Sequence, residues 1–63
     1  MHDFIYTLLA NYHEAMTHGL TYEASEQQRQ TINDFIIAFV DDLSTRQTML
    51  QTLESINALI INI

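Results

Sequence analysis

Three histidines, eight carboxylates and three serines are the side chains of this 63-residue sequence that could do chemistry, and their spacing limits what chemistry is open. The run His13-Glu14-Ala15-Met16-Thr17-His18 has the residue types of a helical zinc site. Such a site needs two histidines at i and i+4, on one helical face. Here they stand at i and i+5, rotated by about 140° on a regular helix, so they cannot share an ion. Glu14 and His18 do lie at i and i+4, as a surface pair worth only a few tenths of a kcal/mol. His2 and Asp3 could join a metal only with help from elsewhere in a fold. No metal and no cofactor is expected.

Nucleophilic and acid–base chemistry fare no better. There is no cysteine, which removes thiol nucleophiles, thiolate metal sites and disulfides. Ser25 and Ser44 each precede a glutamine by three residues, the pattern of a helix capping box. A single glycine, Gly19, cannot build an oxyanion loop or a phosphate cradle. Asp41 and Asp42 are adjacent and therefore point about 100° apart on a helix, so they do not converge on one proton. The expectation is a protein that is not an enzyme.

Binding is the remaining class. Eight acids face two arginines and no lysine, for a net charge of −6. Nucleic-acid affinity comes from neutralising phosphates with Lys and Arg, and Arg29 and Arg46 cannot supply it. An anionic membrane surface repels the chain for the same reason. A basic protein partner suits this charge. The acids are too sparse to imitate a phosphate backbone. Tyr6 and Tyr22 fall off the apolar stripes described next, and tyrosine is a favoured interface anchor. Asp41 and Asp42 fall near the expected C-terminus of the second helix, where the dipole disfavours them. Tyr6, Tyr22, Asp41 and Asp42 are therefore the expected partner-binding residues.

The elements that must carry these residues are legible as three apolar stripes with a spacing of four, three, four. They are Ile5-Leu9-Tyr12-Met16, Ile32-Ile36-Phe39-Leu43 and Met49-Leu53-Ile56-Ile60, with Ile63 beyond. That spacing keeps side chains on one face of an α-helix. Helix one is expected over 4–18, capped by Asp3 and ended by Gly19 in the left-handed position that follows a helix. Helix two is expected over 23–43, with Thr21 and Ser25 competing as its cap. Helix three is expected over 45–62, started by Ser44 and Gln47. No Pro or Gly separates the last two, so one long kinked helix is the alternative. The β-branched tail 58–63 is read as helix, because no other segment offers it a strand to pair with.

The fold class is thus all-α: a single domain over 1–63, built as a three-helix bundle or a helical hairpin and completed as a homodimer. Chains this short bury only about 60% of their unfolded surface and commonly lean on disulfides, metals or oligomerisation. Two of these are closed here. Helices two and three also show a second apolar face, which places Ile37, Val40, Leu50 and Ile61 at a dimer seam, with Asn33 and Asn57 on the same side. The longest apolar run, residues 35–40, is too short to cross a bilayer. There is no basic start followed by an apolar core of a signal peptide, so a cytoplasmic setting is expected. The function these features imply is a small acidic interaction module that binds a larger protein, such as a DNA-binding regulator, and inhibits it by occlusion. The alternative is a structural small subunit or assembly adaptor of a larger complex.

Overall fold

Capping chemistry and the apolar stripes divide the chain into α1 (His2–Thr17), α2 (Tyr22–Phe39) and α3 (Leu43–Asn57). The computed structural model describes residues 2–59. The three helices pack on one another as an all-α bundle 34 Å long and 16 Å across. Among the described residues there is no strand. α3 closes in a short 3-10 turn at 58–59, and the expected continuation to residue 62 lies outside the described residues.

The breaks between helices have local causes, while Asp3, the expected cap of α1, lies inside that helix. α1 ends where Gly19 takes φ +92°, a conformation that costs a side-chain-bearing residue energy and glycine little. α2 begins at Thr21, whose hydroxyl accepts from the Ala24 N–H at 3.2 Å. Ser25 is no cap: it is fully buried, and its hydroxyl donates to the Tyr22 carbonyl at 2.8 Å. α2 and α3 are separate helices. Val40 leaves the helix with extended backbone angles, φ −104° and ψ 101°. Asp42, not Ser44, caps α3, with its carboxylate accepting from the Thr45 N–H at 2.8 Å and the Thr45 hydroxyl at 2.7 Å. Arg46 reaches back over the end of α2 and donates to the Val40 carbonyl at 3.0 Å and the Ile37 carbonyl at 3.5 Å. A cation on the last carbonyls of a helix opposes the negative end of its dipole.

The core is one cluster of Ile5, Leu9, Tyr12, Met16, Ile32, Ile36, Val40, Met49, Leu53 and Ile56. The stripes on α1 and α3 enter it as expected, apart from Ile60 and Ile63, which lie outside the described residues. On α2 the row is Ile32-Ile36-Val40 instead of Ile32-Ile36-Phe39-Leu43. The expected phase required a helix running to Leu43. Because α2 stops at Phe39, Leu43 starts the next helix with 63% of its surface exposed, and Val40 turns inward to take the last core place.

One polar group sits at the centre. Tyr12 is fully buried, and its hydroxyl donates toward the Asn57 Oδ1 at 2.9 Å, with the Ser25 carbonyl 3.2 Å away. This joins all three helices through one side chain. Asn57, expected on an outward apolar face, points into this junction instead. Burial is the first cause, and the nearby Glu26 charge the second, of a Tyr12 pKa above the ordinary phenol value.

Candidate interaction face

A helix can bury one stripe against its own bundle, and α2 is apolar on more than one. Across the six-residue run 35–40, successive side chains step by about 100° and so go right round the helix. Ile36 and Val40 take the core. Phe35, Ala38 and Phe39 fall on another flank, where Phe4 of α1 meets Phe35. The Phe4 and Phe35 rings lie edge to face with centroids 5.7 Å apart and planes at 71°. Phe35 and Phe39 stack at 5.7 Å and 24°. These are favourable aromatic geometries, yet Phe4 stays 49% exposed and Phe39 46%. The rings line up with each other and remain in contact with water.

Beside them runs an open groove of about 320 Å³ lined by Thr31, Asp34, Phe35, Ala38 and Phe39. These positions are spaced i, i+3, i+4, i+7 and i+8, so the groove follows two turns of α2, about 12 Å. Ala38 forms a low point between bulky neighbours. Asp34 supplies the charge, and its carboxylate accepts from the Gln30 amide at 3.0 Å. Neither arginine is available to neutralise it. Arg29 donates to Glu26 at 3.0 Å and lies 3.7 Å from Glu54, and Arg46 is held on the α2 carbonyls. A bidentate hydrogen-bonded pairing with Glu26 is the main reason the Arg29 pKa is raised. The groove is therefore apolar in its floor and anionic at its edge.

The residues expected from spacing alone land elsewhere. Tyr6 and Tyr22 are both exposed, but they do not form one patch. The Phe4–Phe35 contact and the Tyr12–Ser25 hydrogen bond set α1 and α2 antiparallel. Tyr22 then lies level with the end of α1, about 15 Å along the axis from Tyr6. Tyr6 is also about 200° round α1 from Phe4. Asp41 is exposed in the α2–α3 connection. Asp42, expected to be disfavoured at the end of a helix, stands at the start of one, where the dipole favours it. The Thr45 hydroxyl, then the Thr45 N–H, hold its pKa below the usual carboxylate value, with His2 adding a smaller pull.

The expected seam is not one surface. Val40 is a core residue of the single chain, Leu50 is half-buried against that core, and only Ile37 is exposed. Ile61 lies outside the described residues. Sequence reasoning missed Phe35 and placed Phe39 in the core. The signals were present: Phe35 and Phe39 are one turn apart, and Phe4 widens the α1 stripe on one flank.

A second groove of about 430 Å³ lies between α1 and α3, lined by His13, Thr48, Gln51, Thr52 and Ser55 with Ile56 and Leu59. The Thr48 and Thr52 hydroxyls donate to carbonyls of their own helix and are not aimed into it. Among the described residues no group of His and carboxylates could hold a metal, and no helix is long and apolar enough to cross a membrane.

Compared with known protein families, curated proteins and solved structures, the chain matches none.

Proposed function

We propose that this protein is a small acidic interaction module that binds a larger, basic protein and modulates it by occluding the surface it covers. A DNA-binding regulator is the kind of partner that suits the charge. One observation carries this reading: Phe4, Phe35 and Phe39 form an aromatic cluster in which the bundle leaves Phe4 and Phe39 half in water. Interface hot spots are built from such clustered large side chains, ringed by groups that exclude water. The surrounding carboxylates steer encounter with a cationic partner and reject anionic ones. Tyr6, Tyr22, Asp41 and Asp42 remain exposed outer contacts for a large partner, while Asp42 also caps α3.

The test is capture of partners by the tagged protein from a lysate of cells that express it, at low and raised salt. Phe39→Ser should abolish stoichiometric capture while circular dichroism stays helical, because Phe39 is no part of the buried core. Unchanged capture by that variant would remove the face from the proposal. A complex that survives raised salt, with a chain that is unfolded alone, would favour the structural-subunit reading. A homodimer is the competing use of the same cluster, and a mass of twice 7.3 kDa that falls to one chain in Phe39→Ser would favour it.

A further inference from the structure

We propose that the Phe35–Ala38–Phe39 groove seats a cationic amphipathic helix of the partner, an inference that rests on the interaction reading above. Four observations narrow the occupant to this class.

The first is backbone supply. All the described elements are helices, whose main-chain groups are paired internally, so no strand edge is offered for β-addition. Recognition must run through side chains. The second is the lining. Proline-rich ligands dock on aromatic grooves, and their backbone carbonyls need donors beside the rings. This groove has phenylalanines, one threonine hydroxyl and a carboxylate, with no phenol or indole donor. The Thr31 hydroxyl donates to the Gln27 carbonyl at 3.0 Å and is not free. The third is shape. The groove follows about two turns of α2, and Ala38 is the smallest of the side chains that line it. A ridge of apolar side chains spaced i, i+3, i+4, i+7 on another helix fits such a surface. Its volume of about 320 Å³ lies at the small end for enclosed small-molecule sites, and it is open to solvent.

The fourth is charge. Asp34 lies in the groove with no ion pair among the described residues, Asp41 and Asp42 follow at the end of α2, Arg29 is paired with Glu26 and Glu54, and Arg46 is held on the carbonyls at the α2 end. A lysine or arginine flanking the apolar ridge meets the Asp34 carboxylate, whose one described partner is the neutral Gln30 amide, and it also gains from the exposed ring faces. A nucleic acid would stack on the rings but finds no cation for its phosphates. A second copy of this chain would bring another −6 and a second Asp34 to the same seam.

The probe is a synthetic helix about four turns long with leucines at i, i+3, i+4 and i+7 and lysines elsewhere. Two controls accompany it: the same peptide with glutamates for the lysines, and a scramble of equal composition. Binding is followed by amide shifts of the isotopically labelled protein. The lysine helix should bind at least about tenfold tighter than either control, with the largest shifts at 31–39. Raised salt should weaken it, Asp34→Asn should weaken it about threefold with a shallower salt dependence, and Phe39→Ser about tenfold. Ala38→Gln keeps the helix and fills the groove, so it should weaken binding as well. Equal binding of the scramble, shifts centred elsewhere, or no binding by the folded protein would overturn the assignment. Concentration-dependent shifts at 31–39 without peptide would overturn it in favour of a second copy. Capture lost in Phe39→Ser without peptide binding overturns only the cationic helix. Capture unchanged in Phe39→Ser overturns the interaction face beneath it.

Discussion

Tyr12 shows how one residue can decide a packing arrangement that apolar contacts leave open. Isoleucines and leucines tolerate a sliding neighbour, whereas a buried hydroxyl must meet an acceptor or lose a hydrogen bond. The Tyr12 hydroxyl meets Asn57 on α3 and the Ser25 carbonyl on α2, and so holds both helices in register with α1. Tyr12→Phe should lower the unfolding free energy by about 1–2 kcal/mol in urea titrations, since Asn57 is left half-buried without that donor. The pH dependence follows from the raised pKa. Stability contributed by the neutral phenol is fully present below its unfolded pKa of about 10 and is lost as pH rises through the higher folded value. Tyr12→Phe should flatten this alkaline limb of a melting-temperature profile.

At the scale of elements, the informative place is the break between α2 and α3. Two successive carboxylates look costly if the preceding helix runs past them. They become useful when the chain leaves that helix at Val40 and begins another at Leu43, with Asp42 as its cap and Arg46 returning to the old helix end. Ser44→Ala should therefore change stability by no more than about 0.5 kcal/mol, whereas Asp42→Ala should lower the melting temperature measurably. Because the Asp42 pKa is lowered, its contribution is present above the unfolded carboxylate pKa of about 3.9 and is lost as pH falls through the folded value. A melting series from neutral to acid pH on the wild type and Asp42→Asn checks the sign. Thr21→Ala removes the α2 cap and should cost about 1 kcal/mol by thermal or urea unfolding.

For the whole molecule, the question is how 63 residues without a disulfide hold one fold. Among the described residues, nine core residues from the three helices and Val40 just after α2 close on each other within one chain. Val40→Ala should lower stability by about 2 kcal/mol, and the loss should not depend on protein concentration in unfolding experiments over a hundredfold dilution. A dimer seam at Val40 would make it concentration-dependent. Part of the exposed apolar surface, Phe4 and Phe39, lies with Phe35 on one flank of a surface of net negative charge, while Ile37 and Leu43 are exposed outside that cluster.

Helix type, the inner rows of α1 and α3, the Gly19 stop and the acidic balance follow from residue spacing and composition, because each depends on neighbours within a turn or two, whereas spacing leaves open whether α2 and α3 are one helix or two. Periodicity carries such information directly. The end of α2, the inward turn of Val40, the junction of Tyr12 with Asn57 and the alignment of Phe4 with Phe35 were decided only by the tertiary structure. Each joins residues far apart in the chain, or depends on which of two local caps wins once the helices pack. A run of six apolar residues on a helix must leave some of them outside. Which ones stay outside is settled by where the neighbouring helices lie, and that is what turned Phe35 and Phe39 into a surface.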